Sequence, residues 1–297
     1  MELCLGTVQF GMDYGIAGQK KPSVQEAVSM LDYAVQNGIR TVDTASAYGV
    51  AEDVVGRFLG KKTVVRDKLS LVSKLKPNLL DGVDASRYYD VMKLNLVSSL
   101  RRLGTDYLDG FLLHSSRYIF NDRMIEALGR LQKEGYAKHV GVSVYEPEEA
   151  MKCIEREDVD FMQLPFSIFD QRMLKGRVFQ AAEGSGMKIH SRSAFLQGLI
   201  LMEEGDVPPY LEKAKPILRK TDGLCREFGI PRIALAMGFV KRQGAISRLV
   251  FGVDNLAQLK EDIKYFEDDI PAGILEEIGR QFTDIETDIV MPSLWKK

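Results

Sequence analysis

A closed barrel of eight parallel strands alternating with helices, the (β/α)8 or TIM-barrel class of α/β fold, is what this chain predicts. Three observations carry that expectation. Eight short apolar runs recur along the 297 residues, amphipathic stretches separate them, and the turn after the first run lacks a dinucleotide fingerprint. The runs are 3–7 (LCLGT), 39–44 (IRTVDT), 69–74 (LSLVSK), 108–114 (LDGFLLH), 138–144 (KHVGVSV), 161–166 (FMQLPF), 187–191 (MKIHS) and 248–253 (RLVFGV). Their nearly continuous apolar character suits parallel strands covered on both faces. The rival, an open doubly wound sheet, would place G-x-G-x-x-G after its first strand. The chain instead reads Gly6-Thr7-Val8-Gln9-Phe10-Gly11.

The intervening segments read as helices. Val24, Ala27, Val28, Leu31, Ala34 and Val35 keep the i, i+3, i+4 spacing of one buried stripe, and Asn37-Gly38 supplies the stop. The segment 90–103 repeats the plan, with Val91, Leu94, Val97 and Leu100 expected inside and Gly104 as terminator. Glu146-Pro147-Glu148-Glu149 opens a helix with proline in its first turn and carboxylates at its positive end. No linker or repeat divides the chain, so a single domain over 1–297 is expected. The longest gap, 192–247, holds EEGDVPPYLEKAKP, read as an insertion or long loop near 200–216, and a C-terminal tail is expected near 284–297.

Composition narrows the class of partner. A net charge of −2 gives no reason to expect nucleic acid or an anionic membrane. Cys4, Cys153 and Cys225 are far apart, which argues against a disulfide framework or a zinc site and suits a reducing cytoplasm. No apolar run approaches the roughly 18–20 residues of a membrane span, and the N-terminus reads directly as a strand.

A barrel of this class gathers its chemistry at the C-terminal strand ends. Those ends are Thr7, Asp43, Lys74, His114, Ser143, Gln163, His190 and Gly252, with Tyr48 five residues beyond Asp43. Singly, each has a bland reading as a turn cap, a solvated terminus or a packing histidine. Jointly they suit proton transfer. A phenol titrating near 10 is a poor acid–base group at neutral pH, and a nearby ammonium is expected to lower that value. A carboxylate would hold the lysine, and a histidine would orient a carbonyl oxygen. The hydride must come from a cofactor.

Asp43, Tyr48, Lys74 and His114 resemble, in order and in strand, the Asp-Tyr-Lys-His tetrad of the aldo-keto reductases. GTVQFG, GVSV (141–144), MQLPFSIFDQR (162–172), FLQGLIL (195–201) and VFGVDNLAQL (250–259) are similar to that family too, so the resemblance spans essentially the whole chain. It implies Tyr48 as general acid in reduction and base in oxidation, Lys74 depressing its pKa, Asp43 holding Lys74, and His114 positioning the carbonyl. It implies NAD(P)H as cofactor, held by Thr7, Ser143, Gln163, His190, Ser191, Arg192, Gly198, Gly252, Asp254 and Gln258. Val144 stands where an asparagine is usual, and His190 falls where an aromatic stacks on the nicotinamide. Arg192 replaces the usual proline, and its guanidinium suits phosphate or an anionic substrate. Asp254 stands where an NADPH-preferring member carries a cation, so NADH is favoured, with Arg248 as a compensating cation the alternative and Asn255 or Asp254 as a helix cap the bland reading.

The substrate is expected to be a small carbonyl compound or alcohol. Gln9, Phe10, Met12 and Tyr14 are expected to form one wall, Tyr118 and Phe120 another, and Trp295 a closure from the C-terminus; Arg117 and Arg192 hint at a polar or anionic, sugar-derived substrate. Two alternatives stand beside the oxidoreductase: a regulatory protein that binds cofactor with little turnover, and a barrel enzyme using Lys74 as a Schiff base. Asp43 beside Lys74 counts against the latter.

Overall fold

Each of the eight apolar runs becomes a strand. In the computed structural model, which describes residues 1–295, they are β1 (Glu2–Gly6), β2 (Thr41–Asp43), β3 (Ser70–Lys74), β4 (Leu108–Leu113), β5 (Ala137–Ser143), β6 (Phe161–Pro165), β7 (Lys188–Arg192) and β8 (Ile246–Gly252). Every strand pairs in parallel with the next, and β8 closes on β1 through Glu2↔Arg248 to Gly6↔Gly252. The expected (β/α)8 barrel is therefore the observed fold.

The main core lies between the strands and the surrounding helices. A small separate cluster of Val72, Leu112 and Phe161 plugs the barrel interior. Gly110 makes room for it: a Cβ there would lie 2.8 Å from the Phe161 ring. The barrel axis is thus packed rather than open, and only its upper layers are left for polar chemistry.

Helix α1 (Val24–Gln36) buries Ala27, Val28, Met30, Leu31 and Ala34. It opens on a capping box in which Ser23 and Glu26 satisfy each other's backbone amides. The next two helices are α2 (Ala51–Gly60) and α3 (Tyr88–Leu103). Helix α3 corrects one expectation: Leu94 is 71% exposed, and the inward face is Tyr88, Met92, Leu96, Ser99, Leu100 and Leu103. Both phases keep helical spacing. The observed one buries Met92 and Leu96 at the cost of one small serine, so volume decided what periodicity left open.

The interval after β7 is more ordered than the expected insertion. Short 3-10 turns at Leu196–Leu201, Glu204–Asp206 and Pro209–Ala214 lead into helices Lys215–Phe228 and Arg232–Lys241. Lys213 then bridges to Glu286 at 2.5 Å and Asp288 at 3.3 Å, tying this stretch to the tail. Trp295 is buried there, its indole N–H donating to the Ile289 carbonyl at 3.1 Å. Among the described residues no helix is long and apolar enough to cross a membrane.

Candidate active site

Lys74 is the hub of the barrel mouth. Its side chain is 1% exposed, and its ammonium donates to the Asp43 carboxylate, to the Thr44 carbonyl at 3.1 Å and to the Tyr48 hydroxyl at 3.3 Å. All three donors of the ammonium are thereby used. The second carboxylate oxygen of Asp43 accepts from Gln163 Nε2 at 2.8 Å, and Thr7 Oγ1 donates to the Asp43 carbonyl at 3.0 Å. A buried ion pair survives only when its remaining lone pairs are satisfied in this way. Burial works against the Lys74 ammonium, but Asp43 and Tyr48 outweigh it and hold its pKa above the ordinary value.

Tyr48 reaches this hub because its loop is stapled from outside. Val50 N–H donates to the Gly11 carbonyl at 3.3 Å, and Gly49 takes a φ of 54° against that same carbonyl. A Cβ on Gly11 would lie 1.7 Å from the Tyr48 carbonyl oxygen, so only glycine lets the two loops cross. Below, Glu52 on α2 accepts from Ser73 at 2.6 Å and from Arg102 at 2.8 Å, joining α2 and α3 to the strand that carries Lys74.

The Tyr48 phenol departs from the expectation of a depressed pKa. Burial pushes it up, Lys74 pulls it down, Asp43 pushes it up again, and the net displacement is upward. The carboxylate that holds the lysine cancels part of its effect on the phenol. Tyr48 is thus a neutral O–H at physiological pH, a form suited to proton donation. The His114 ring stands edge-on to it, with centroids 5.9 Å apart and planes at 83°. Burial, then Lys74 and Arg192, lower its pKa to about 3, so the imidazole is neutral and can donate one N–H to a carbonyl oxygen.

Several expected residues fall elsewhere. His190 is 2% exposed within the barrel, tilted against Phe161 with centroids 5.0 Å apart, and its Nε2 lies 3.1 Å from Arg248 Nη1. Arg192 shares its face of β7 one layer nearer the mouth, because side chains alternate along a strand. The structure thus presents Arg192, not His190, to the mouth. Arg248 pairs with Glu2 at 3.2 Å in the N-terminal half of β8, which removes it as a compensating cation beside Asp254. Phe10 is 1% exposed in the core and Trp295 is packed in the tail, so neither forms a substrate wall. Tyr118 is buried, donating to Asp81 at 2.8 Å, Arg117 pairs with the same Asp81, and Phe120 faces solvent.

The Tyr14 loop lies against the turn after β7, with Ile16 N–H donating to the Gln197 carbonyl at 3.1 Å. Burial raises the Tyr14 pKa to about 12, with smaller influences from Tyr48, Arg192 and Tyr145. Tyr145 had no place in the sequence reading; its ring lies 4.3 Å from the Arg192 guanidinium. Its position directly after GVSV was the available signal.

The remaining residues fit a nicotinamide cofactor. Gln9 Oε1, His114 Nδ1, Ser191 Oγ and Gln197 Oε1 are buried without a hydrogen-bond partner among the described residues. Buried polar atoms are rarely left so unless something else meets them. The Gln9 amide lies over Gly252, where a Cβ would come within 2.3 Å of Oε1. Ser193, Leu196, Gln197 and Gly198 all take left-handed backbone after β7, a strained loop of the kind found at ligand sites. Helix Leu256–Glu267 is capped by Asn255, whose Oδ1 accepts from Gln258 N–H at 3.0 Å, so the capping role falls to Asn255 and not Asp254. Gln258 Oε1 in turn accepts from the Asp254 N–H at 2.8 Å. Burial raises the Asp254 pKa, with Gln258 opposing. Ser143 is buried at the end of β5, and Gln163 uses its Nε2 on Asp43.

A buried Asp-Lys-Tyr chain beside a neutral histidine thus lies at the mouth of a closed eight-stranded barrel. The chain belongs to the aldo/keto reductase family, whose model matches residues 2–278. It is 26% identical to the uncharacterized oxidoreductase YrpG of Bacillus subtilis, an alignment covering 95% of this chain and 91% of that protein. It is 23% identical to the NADH-specific methylglyoxal reductase of Escherichia coli, covering 76% and 78% respectively. In fold it is similar to the aldo-keto reductase AKR11C1 from Bacillus halodurans, with a TM-score of 0.76, 21% identity, and coverage of 98% and 95%.

Proposed function

We propose that the protein is an NAD(P)H-dependent oxidoreductase that interconverts a small carbonyl compound and its alcohol, with Tyr48 as the acid in reduction and the base in oxidation. The contact that carries this reading is Lys74 Nζ to Tyr48 Oη at 3.3 Å, anchored behind by Asp43. When bound, the reduced nicotinamide supplies the hydride to the carbonyl carbon. The neutral His114 N–H orients the carbonyl oxygen, and the Tyr48 hydroxyl gives it the proton. Lys74 stabilises the phenolate left behind, and Asp43 keeps Lys74 charged and fixed. The cofactor-facing set is Thr7, Ser143, Gln163, Ser191, Gly198, Gly252, Asp254 and Gln258, with Gln9 and Tyr14 toward the substrate.

NADH is the preferred cofactor in this reading. Asp254 is not used as the helix cap, and its carboxylate opposes a 2′-phosphate at short range. The naming of one relative as an NADH-specific reductase supports that choice. The test is titration with NADH and NADPH, read by nicotinamide fluorescence and by thermal stability, since a ligand that binds only the fold raises its melting point. NADH is expected to bind more tightly. Silence toward both would sink the reading, and tight NADPH binding would overturn the role of Asp254. Binding without turnover on a panel of aldehydes would favour the regulatory alternative.

A further inference from the structure

Arg192 stands at the mouth without a carboxylate. Its guanidinium lies over the Tyr145 ring, and its hydrogen bonds are long ones, Nη2 to the Val144 carbonyl at 3.3 Å and Nη1 to Ser193 Oγ at 3.4 Å. Other partly buried arginines of this chain behave differently. Arg156, Arg172 and Arg232 each meet a carboxylate at 2.6–2.8 Å. Among the described residues no carboxylate comes within 4.0 Å of Arg192. A guanidinium has five N–H donors in a planar fork that matches a carboxylate or a phosphate, and a partly desolvated one without a counter-charge is left incompletely satisfied.

Pairing of β6 with β7 sets His190 beside Gln163, whose amide holds Asp43, so Arg192 lies one layer above the Asp43–Lys74–Tyr48 chain. The charge of Arg192 is felt at Tyr48, His114 and Tyr14. The Tyr14 ring also borders a cleft of about 520 Å³ shared with Met12, Asp13, Ile16 and Tyr210. Asp13 does not neutralise the arginine; its carboxylate accepts from the Lys21 N–H at 3.0 Å.

We propose that Arg192 recognises an anionic group on the substrate, so that the preferred carbonyl compounds carry a carboxylate or a phosphate that pairs with its guanidinium. This rests on the carbonyl-reductase reading of the same site. An anion next to Tyr48 and His114 belongs to the molecule whose carbonyl they handle. Stacking on Tyr145 holds the fork in place before binding, which reduces the ordering cost.

Two matched pairs test the proposal and separate its sources: succinic semialdehyde against butanal, and glyceraldehyde 3-phosphate against glyceraldehyde. The wild type is expected to favour the charged member of at least one pair by roughly tenfold or more in kcat/KM, mostly through KM. Arg192→Gln should bring that ratio close to one, and Arg192→Lys should restore part of it. Calorimetric titration with succinate and inorganic phosphate gives a readout free of turnover, with binding expected in the wild type and lost in Arg192→Gln. No preference in the wild type, an equal loss on both members of each pair, or an equal weakening of NADH binding would overturn the proposal. Turnover without an Arg192-dependent preference rejects this inference alone. Arg192-dependent anion binding with no turnover of any aldehyde rejects the reductase reading and leaves the anion site standing.

Discussion

His114 and His190 end up in similar electrostatic conditions and do different things. Both imidazoles are held down to about 3, burial being the largest cause for each, and among the described residues neither Nδ1 has a partner. Lys74 lowers both; the second cation is Arg192 for His114 and Arg248 for His190. The difference is what each ring faces. His114 stands edge-on to Tyr48 at the rim, whereas His190 packs on Phe161 inside the plugged barrel and touches Arg248. A displaced pKa therefore reports burial beside a cation, and only the neighbouring hydroxyl and the open mouth turn one of the two into a candidate for chemistry.

Substitutions can break or sharpen that contrast. The largest effect is expected from Lys74→Met, which strands the Asp43 carboxylate and removes the cation beside the Tyr48 hydroxyl. Carbonyl reduction should fall by roughly 10²–10⁴-fold, and stability by about 3–5 kcal/mol as for other broken buried pairs, read by urea unfolding alongside initial rates. Next comes the histidine pair itself. His114→Gln should lower kcat/KM by about 10–100-fold, the loss of one hydrogen bond to a charge-developing oxygen, with a small change in melting temperature. His190→Gln should reverse the pattern, costing stability while leaving kcat/KM within a few-fold. Equal kinetic losses in both variants would erase the distinction drawn here.

The smallest effect is on the pH profile of stability. Each ring has a folded pKa depressed to about 3, against roughly 6.5 in an unfolded chain. Between those values the unfolded state binds more protons, so stability is fully present above about pH 6.5 and is lost as pH falls toward 3. Each histidine therefore steepens the loss of stability on acidification within that window. Denaturant midpoints between pH 6.5 and 4 should therefore fall less steeply in His190→Gln than in the wild type. Reduction itself should stay flat through neutral pH and decline only above the ordinary phenol value near 10, because burial and Asp43 raise Tyr48 more than Lys74 lowers it.

The barrel was legible in the sequence because eight continuous apolar runs leave few alternatives, and the strand-end polar set followed from the same runs. The tetrad Asp43, Lys74, Tyr48 and His114 lies together as that reading implied. What failed depended on depth and phase. His190 and Arg192 share one face of β7 two residues apart, and choosing which of the two reaches the mouth requires the height of β7 in the barrel, which composition does not encode. Phe10 and Trp295 were indistinguishable from mouth aromatics until packing assigned them to the core. Leu94 kept helical spacing yet faces solvent. The upward displacement of Tyr48 came from summing burial, Lys74 and Asp43, where the sequence supplied only the signs of the two charges.

The most direct test of the acid–base centre is carbonyl reduction by Tyr48→Phe in protein that still binds nicotinamide. The ring packing is kept and only the hydroxyl beside Lys74 is removed. Cofactor affinity should stay within a few-fold of wild type while the rate falls by roughly 10²-fold or more. A rate within a few-fold of wild type, with the cofactor bound, would contradict the assignment of Tyr48 as the proton donor.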